Sequence, residues 1–221
     1  MEILCINSYL ANGHEFHLYV YQDFPDIPKG AVIKDANRII PEKEVILDRF
    51  GSYAHFADRF RFKLLYESGG WWADMDTVCL KPFDFDEDFV FSSEISDYNR
   101  RRYSVNNTFI KSKPGVKFLK DCLDFITARG YEHIHWGEFG VNLFSRMIFR
   151  NNLEQYIKQP ECFCPVTYYD FDSITGETPF HFPENSYALH WWNDVWRRKG
   201  IDKNAKFPEN SLYEVMKRKY N

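Results

Sequence analysis

Residues 69–76 read Gly69-Gly-Trp-Trp-Ala-Asp74-Met-Asp76 and directly follow a segment, residues 52–68, whose apolar side chains recur at helical spacing. That spacing predicts a helix with Ser52 as its N-cap and the two glycines as its C-terminal stop. Trp71-Trp-Ala73 is a short apolar run and predicts a strand. A helix, a glycine turn, a strand and an acidic pair in this order indicate an α/β protein.

The segments on either side continue this pattern. Short apolar runs predict further strands at residues 15–21, 31–33, 89–91 and 105–110. Helical spacing predicts further helices at residues 3–10, 116–128 and 140–149. Between two of the strands, residues 96–104 read as a polar loop, and residues 160–221 read as a loop-rich region dense in aromatic side chains. Because no linker or internal repeat is present, we expect residues 1–221 to form one domain.

Composition excludes several classes of protein. The 221 residues carry 28 Lys and Arg against 32 Asp and Glu, a net charge of −4, which provides no electrostatic footprint for nucleic acid. The 6 Trp, 14 Tyr and 21 Phe residues supply enough apolar surface to exclude intrinsic disorder. No apolar window is long enough for a membrane span and the N-terminus lacks a basic signal region, so we expect a cytoplasmic protein. The five cysteines are odd in number and irregularly spaced, which favours buried, reduced thiols.

Four charged residues in the central segment suggest chemistry. Side chains alternate along a strand, so Asp74 and Asp76 would lie on one side, where two carboxylates can hold a divalent cation shared with phosphate. Asp58 and Arg61 are three residues apart on the predicted helix and share one face. A solvated acidic edge and a surface ion pair are the plainer interpretations of the same spacings.

The compound motif, Asp58-Arg-Phe-Arg61 followed by Gly69-Gly-Trp-Trp-Ala-Asp74-Met-Asp76, resembles the D-x-x-R…GG-x-[YW]-x-D-x-D segment of DXD glycosyltransferases of the family 32 type. The similarity is greatest to the bacterial capsular and lipopolysaccharide branch, with mannosyltransferases and α-1,4-galactosyltransferases beside it. The similarity spans about residues 7–201. Within this range, further matching motifs are Asn106-Asn-Thr-Phe-Ile, Trp136-Gly-Glu-Phe-Gly140 and His190-Trp-Trp. It implies an α/β, GT-A-like nucleotide-diphospho-sugar transferase fold, with a mixed central sheet flanked by helices and an acceptor region at about residues 160–221.

The resemblance also implies a donor site and a metal site. Asp58 and Arg61 would hydrogen-bond the donor sugar, and Asp74 would contact ribose and sugar. Asp76 would bind the metal directly, with Asp74 acting through water and His190 completing the site. The aromatic side chains implied in the donor site are those of Trp72 and Trp192.

The implied activity is a metal-dependent, retaining transfer of a hexose from a UDP- or GDP-linked sugar to a glycan or lipid-linked acceptor in surface polysaccharide synthesis. Mn²⁺ is expected in preference to Mg²⁺. Asn107, near the transferred sugar, and Glu138, on the acceptor side, are the catalytic candidates, but no catalytic base is assigned because the usual proposal for such enzymes is a front-face displacement. Tyr168, Tyr169 and Trp191 are candidates for stacking on acceptor sugars.

One departure accompanies the resemblance. Members of the family begin with a strand of the form I-P-x-x-I-H-x-x-W-x-G that lines the nucleotide pocket, whereas the printed sequence begins at the helix that follows. The first strand of the nucleotide-binding half is therefore expected to be missing. Either a start codon assigned too late or the loss of part of the donor site would produce this pattern, and the intact downstream motifs favour the first.

Two other functions fit parts of the pattern. Asp74-Met-Asp76-Thr-Val78 matches the D-x-D-x-[TV] motif of haloacid-dehalogenase-type phosphatases, in which the first Asp is a nucleophile and the second an acid or base. A downstream acidic pair is needed there, and Asp170-Phe-Asp172 is a poor match. A non-catalytic carbohydrate-binding protein would also account for the aromatic C-terminal third.

Three short basic runs suggest contact with an anionic membrane surface, where lipid-linked acceptors lie. They are Arg100-Arg-Arg102, Arg197-Arg-Lys199 and Lys217-Arg-Lys219. Solvated faces are the alternative interpretation of these runs. The expected location is therefore cytoplasmic, with peripheral contact at the inner face of the membrane as an additional hypothesis.

Overall fold

Helices and strands are interspersed along the first two thirds of the chain, as the sequence predicts. A computed structural model of the protein describes residues 1–97, 99, 102–177 and 179–221. The helices are α1 (Glu2–Ala11), α2 (Ala54–Ser68), α3 (Lys117–Arg129), α4 (Val141–Arg150), α5 (Pro160–Phe163), α6 (Asp172–Thr175), α7 (Asn193–Lys199) and α8 (Leu212–Tyr220). The strands are β1 (His17–Val20), β2 (Val32–Asp35), β3 (Gly70–Ala73), β4 (Thr77–Cys79), β5 (Val90–Asp97), β6 (Arg102–Ser112) and β7 (Ala188–His190).

The strands pair in three small sheets with helices packed around them, which confirms a mixed α/β architecture. β1 and β2 are parallel, β3, β6 and β5 form an antiparallel sheet in that order, and β4 pairs antiparallel with β7. The pairing of β4 with β7 joins the central segment of the sequence to its C-terminal third, because Thr77 lies opposite His190.

Two details of the central region differ from the sequence prediction. In the expected polar loop at residues 96–104, residues 96–97 and 102–104 are strand, because β5 continues to Asp97 and β6 begins at Arg102. The residue before α2 is Tyr53 rather than Ser52, although the Ser52 hydroxyl still accepts a hydrogen bond from the backbone N–H of Ala54 at 3.1 Å. Arg100 and Arg101 of the first basic run lie outside the described residues.

The aromatic C-terminal third is a packed region, although the sequence predicts it to be loop-rich. Trp191 and Trp196 are fully buried, and their rings contact Tyr213 of α8 at centroid distances of 5.2 and 4.8 Å. Trp191 therefore belongs to the core, and its predicted stacking on an acceptor sugar is wrong. Tyr168 and Tyr169 are exposed and stay candidates for that role.

The five cysteines are unpaired and buried, as the sequence predicts. Cys162 and Cys164 pack in a core cluster with Phe163 and Phe109. Within the part of the chain that the structure describes, no helix is both long enough and apolar enough to span a membrane.

Two glycines that end helices provide a matched test of the fold. Gly69 follows α2 and Gly130 follows α3, with φ of 64° and 65°, in the left-handed region that disfavours other residues. A Cβ at Gly69 would lie 2.7 Å from Pro114 Cδ and 2.8 Å from the Pro114 backbone nitrogen, whereas a Cβ at Gly130 would meet no atom within 4 Å.

We expect Gly130→Ala to lower the free energy of unfolding by about 1 kcal/mol through backbone strain alone. Gly69→Ala adds a clash with backbone to the same strain, so its loss is expected to be larger by about 1–3 kcal/mol. Urea denaturation of both variants measures the difference. Equal losses would show that the turn between α2 and β3 is not packed against Pro114.

Candidate functional site

Arg61 is the centre of a buried polar network between α2 and β6. Its Nη1 atom lies 2.9 Å from Asp74 Oδ1 and donates to the backbone carbonyl of Asn107 at 2.5 Å. Its Nη2 atom lies 3.5 Å from Asp58 Oδ1. A buried cation is tolerated only with such partners. Its Nε atom is buried and has no hydrogen-bond partner among the described residues.

Asp58 is held in this network from two further sides. Asn107 Nδ2 donates to Asp58 Oδ1 at 2.7 Å. The backbone of Gly140, just before α4, approaches so closely that a Cβ there would lie 2.8 Å from Asp58 Oδ2. Burial raises the pKa of Asp58, and the charge of Arg61 and the Asn107 hydrogen bond offset part of that effect.

Asp74 stands where β3 ends. Its backbone N–H donates to the Thr108 carbonyl at 3.0 Å and continues the pairing with β6. Trp72 Nε1 donates to Asp74 Oδ1 at 2.8 Å, and the Arg61 guanidinium lies 5.0 Å from the centre of the Trp72 ring. Trp72 and Arg61 therefore both hold the Asp74 carboxylate through Oδ1.

A tight turn, and not an extended strand, brings Asp76 back towards Asp74. Met75 and Asp76 form the turn, and the Thr77 hydroxyl donates to the Asp74 carbonyl at 2.6 Å. The predicted convergence of the two carboxylates is therefore present, but strand alternation is not its cause. The turn leads directly into β4.

The pairing of β4 with β7 brings His190 to Asp76. His190 Nε2 lies 3.1 Å from Asp76 Oδ2, and the backbone N–H of Asn193 donates to the same oxygen at 2.8 Å. Burial raises the pKa of Asp76, but the charge of His190 and these hydrogen bonds outweigh it and lower the pKa. Burial lowers the pKa of His190, but the Asp76 charge and hydrogen bond outweigh it, so the pKa lies well above its ordinary value.

Asp74, Asp76 and His190 form a cluster that could receive a metal ion. Each offers one ligand atom, and these atoms lie within 4.8 Å of one another. The bonds to Asp74 use Oδ1 and those to Asp76 use Oδ2, so each carboxylate retains a second oxygen. Within the described part of the chain, His190 Nδ1 is buried and has no hydrogen-bond partner, and the His190 side chain lies beside the Cys164 thiol. Mg²⁺ prefers oxygen ligands alone, whereas this cluster includes one imidazole.

Trp192 completes one wall of the cluster. It adopts a left-handed backbone conformation, with φ of 57° and ψ of 50°, which is uncommon for a residue other than glycine. In that conformation its ring lies on His190, with centroids 4.1 Å apart, and its Nε1 donates to the Val166 carbonyl at 3.0 Å. The ring of exposed Tyr168 follows at 6.3 Å from Trp192.

Glu138 does not join the cluster. Its carboxylate accepts hydrogen bonds at 2.7 Å from Arg129 and from the backbone N–H of His135, and these bonds hold the loop before α4. The acidic pair of the phosphatase hypothesis, Asp170 and Asp172, does not belong to the cluster either. Asp172 is exposed and pairs with Lys199.

Two contributors to the site were not singled out from the sequence. Gly140 is the last residue of the segment Trp136-Gly-Glu-Phe-Gly140, and its role is to leave room for Asp58. Asn193 follows His190-Trp-Trp but acts through its backbone N–H, which has no side-chain signal.

The sequence and structure are similar to proteins of two kinds. Residues 31–131, less than half of the chain, match the sequence profile of a family described as capsular polysaccharide synthesis protein. The matched part contains Asp58, Arg61, Asp74 and Asp76, whereas His190 lies beyond it. No curated protein shows a significant match.

Among solved structures, similarity is found to a chain named PaToxG Glycosyltransferase, with 17% sequence identity and a TM-score of 0.47. The alignment covers 68% of this chain and 62% of that chain, so this protein spans less than two thirds of that length.

The contact between Gly140 and Asp58 can be tested by a double-mutant cycle. Gly140→Ala should lower the free energy of unfolding by about 1–3 kcal/mol, because its methyl group would displace the Asp58 carboxylate. In an Asp58→Ala background the penalty should be smaller by about 1 kcal/mol or more, because the displaced group is gone. Gly137→Ala, in the same loop, serves as a control for effects that do not involve Asp58. An unchanged Gly140→Ala penalty in the double mutant would contradict the contact.

Proposed function

We propose that this protein is a glycosyltransferase that transfers a sugar from a nucleotide-diphosphate donor to an acceptor. The observation that carries the proposal is the juxtaposition of two groups: the Asp74, Asp76 and His190 cluster, and the Asp58–Arg61 network that shares Asp74 with it. The profile match over residues 31–131 supports the proposal, because that family is described by polysaccharide synthesis and the match includes four of these five residues.

The two groups suit the two parts of a nucleotide sugar. A divalent cation bound by Asp76, with Asp74 and His190 beside it, would neutralise the charge that develops on the departing diphosphate. The unpartnered Nε of Arg61 and the carboxylate of Asp58 offer a donor and an acceptor to sugar hydroxyls. Asp74 contacts Arg61 and also belongs to the cluster, so it links the sugar side of the site to the diphosphate side.

The protein groups that we assign to the reaction bind and orient. Asn107 fixes Asp58 through its amide and Arg61 through its carbonyl, so it holds the surface on which the transferred sugar would lie. We assign no catalytic base, because the carboxylate of Glu138 is committed to Arg129 and His135. Retention of the anomeric configuration, with the leaving phosphate helping to deprotonate the acceptor, remains our hypothesis.

The acceptor side is proposed to be near Trp192. Tyr168 and Tyr169 are exposed there, and Tyr168 contacts Trp192, so an acceptor glycan could stack on these rings. The proposal also includes a hexose donor linked to UDP or GDP and a glycan or lipid-linked acceptor. It further includes a GT-A-like fold and a role in surface polysaccharide synthesis.

The metal part of the proposal is tested by binding. With Mn²⁺ present, one class of nucleotide sugar should raise the melting temperature by about 5–10 °C at roughly 100 times its Kd. Asp76→Asn removes a ligand charge and should abolish the shift, whereas Asp124→Asn, at an exposed ion pair with Lys120 on α3, should retain it. Differential scanning fluorimetry with UDP- and GDP-linked sugars measures both.

The competing phosphatase has a distinct signature. If Asp74 were a nucleophile, the protein would hydrolyse p-nitrophenyl phosphate with Mg²⁺, and Asp74→Asn would abolish that hydrolysis. That result, together with no response to any nucleotide sugar, would replace the proposal.

A second prediction concerns the donor sugar. Asp58→Asn retains an oxygen that can accept from Asn107 but removes the charge, so the fold should tolerate it. The kcat/KM for sugar transfer should fall by about 10–100-fold, the equivalent of one charge-assisted hydrogen bond. The melting temperature should stay within a few degrees of the parent because a buried charge is costly to the fold. An unchanged kcat/KM would remove Asp58 from the donor site.

A further inference from the structure

His55 is a buried histidine in the first turn of α2. Its side chain is only 1% exposed, and it precedes Asp58 by three residues, so the two side chains share one face of the helix. A buried imidazole needs a hydrogen-bond partner for its ring nitrogens. His55 has a partner on each nitrogen, and the two partners lie in different loops. The ring therefore joins two loops at the beginning of α2.

The first partner is Asp48, in the loop before α2. Asp48 Oδ2 lies 2.5 Å from His55 Nδ1. The other oxygen, Oδ1, accepts from the backbone N–H groups of Phe50 at 2.9 Å and of Ser52 at 3.0 Å. The Asp48 carboxylate thus organises its own loop and holds the His55 ring from one side.

The second partner is the backbone carbonyl of His135, in the loop between α3 and α4. A carbonyl oxygen only accepts, so His55 Nε2 donates to it, at 3.0 Å. The rings of Trp136 and Phe139 stand edge-on to the His55 ring, with centroids at 6.2 and 5.6 Å. One hydrogen bond and two ring contacts therefore hold this loop against the first turn of α2.

The same loop reaches Asp58 at its other end. A Cβ at Gly140 would lie 2.8 Å from Asp58 Oδ2. Three residues of an α-helix rise by about 4.5 Å, so the contacts of the loop with His55 and with Asp58 follow each other along one face of α2. Residues 135–140 run beside the helix between these two contacts. The position of the His135 carbonyl therefore affects how closely the Gly140 backbone approaches Asp58.

The two oxygens of Asp58 have different surroundings. Oδ1 accepts from Asn107 Nδ2 at 2.7 Å and lies 3.5 Å from Arg61 Nη2. Oδ2 is the oxygen nearer to the Gly140 backbone. Because Oδ1 is committed, Oδ2 is the oxygen that a sugar hydroxyl would meet in the donor site proposed above, and Gly140 forms the wall beside it.

We propose that His55 is a positioning residue for Asp58. By donating to the His135 carbonyl, it holds residues 135–140 on α2 and the Gly140 backbone against Oδ2 of Asp58. Loss of this bond would release the segment from the helix and widen the space beside Oδ2. The consequence for the donor sugar rests on the proposed function, whereas the coupling between His55 and Gly140 stands without it.

Two substitutions separate the roles of the ring nitrogens. An Asn amide nitrogen lies about where Nδ1 lies, and a Gln amide nitrogen lies about where Nε2 lies. His55→Asn therefore retains the donor to Asp48 and loses the donor to His135, whereas His55→Gln does the reverse. His135→Asn is the matched control, because it changes an exposed side chain of the same loop and leaves the carbonyl in place.

A double-mutant cycle measures the coupling without a substrate. Gly140→Ala displaces the Asp58 carboxylate only if the segment is held on the helix. Its effect on the unfolding equilibrium constant should therefore shrink at least about fivefold in the His55→Asn background. In the His55→Gln and His135→Asn backgrounds the effect should stay within about twofold of its value in the parent. Urea denaturation measures all four backgrounds.

Hydrogen exchange of the parent protein provides a measurement that needs no variant. The Glu138 amide donates to the His135 carbonyl at 3.0 Å, the same carbonyl that His55 holds. If His55 ties the loop to α2, this amide and the amide of Asp58 should exchange with the same dependence on urea, because loop and helix open together.

Donor binding distinguishes positioning from a general effect on the fold. With Mn²⁺ present, His55→Asn should bind the nucleotide sugar about tenfold more weakly than the parent, the equivalent of one hydrogen bond. Binding of the matching nucleoside diphosphate should not change, because Asp58 is assigned to the sugar. His55→Gln should bind both ligands like the parent. Isothermal titration calorimetry measures these affinities.

Three outcomes would overturn the proposal. An unchanged Gly140→Ala effect in the His55→Asn background, or exchange of the Glu138 amide independently of α2, would show that His55 does not hold the segment. Equal losses of affinity for the nucleotide sugar and the nucleoside diphosphate would show that His55 supports the fold as a whole. If the parent binds no nucleotide sugar, the proposed function fails, while the cycle and the exchange experiment still decide whether His55 positions Gly140 against Asp58.

Discussion

The buried guanidinium of Arg61 is the constraint on which the rest of the site depends. It joins α2 to the end of β3 through Asp74 and to β6 through the Asn107 carbonyl, and it faces Asp58 on its own helix. Removing the guanidinium would leave the buried carboxylate of Asp58 and the half-buried carboxylate of Asp74 without a compensating charge, a change that typically costs about 3–5 kcal/mol. The network therefore fixes the distance between helix and sheet, and with it the position of the first carboxylate of the cluster.

The charges of the site are unequal, and His190 balances part of the excess. Three carboxylates, those of Asp58, Asp74 and Asp76, face the single guanidinium of Arg61. Burial lowers the pKa of His190, but the Asp76 charge and hydrogen bond raise it well above its ordinary value, which favours an imidazolium beside Asp76. A divalent cation would take over that role, and a histidine binds metal only after losing its proton. In the proposed metal site, the imidazolium and a divalent cation would therefore be alternative partners for Asp74 and Asp76.

The sequence predicts the parts of this site that depend on local spacing. Helical periodicity places α2, and a three-residue separation puts Asp58 and Arg61 on one face of it. The spacing of the acidic pair correctly suggests that Asp74 and Asp76 converge, although the cause is a turn stabilised by the Thr77 hydroxyl. Local patterns carry this information because neighbouring residues on one element have fixed relative directions.

The remaining parts depend on contacts between distant segments, which spacing does not encode. His190 reaches Asp76 only because β4 pairs with β7, and its assignment rests on the resemblance and not on periodicity. Gly140 shapes the site by lacking a side chain, and Asn193 acts through its backbone. The aromatic C-terminal third reads as loop because its helices are short, yet Trp191 is core, since tertiary packing decides the burial of a ring.

The open edge of β3 explains why the Arg61 network has to be so well satisfied. A strand in the middle of a sheet is held by two ladders, whereas β3, among the residues that the structure describes, is paired with β6 alone and borders a cavity of about 550 Å³ on its other side. Edge strands open locally at lower cost than central ones, so the carboxylate at the end of β3 needs another anchor. Arg61 and Trp72 both hold Asp74 Oδ1, one from α2 and one from β3 itself. Side-chain bonds thus provide at Asp74 the rigidity that a second neighbouring strand would otherwise provide.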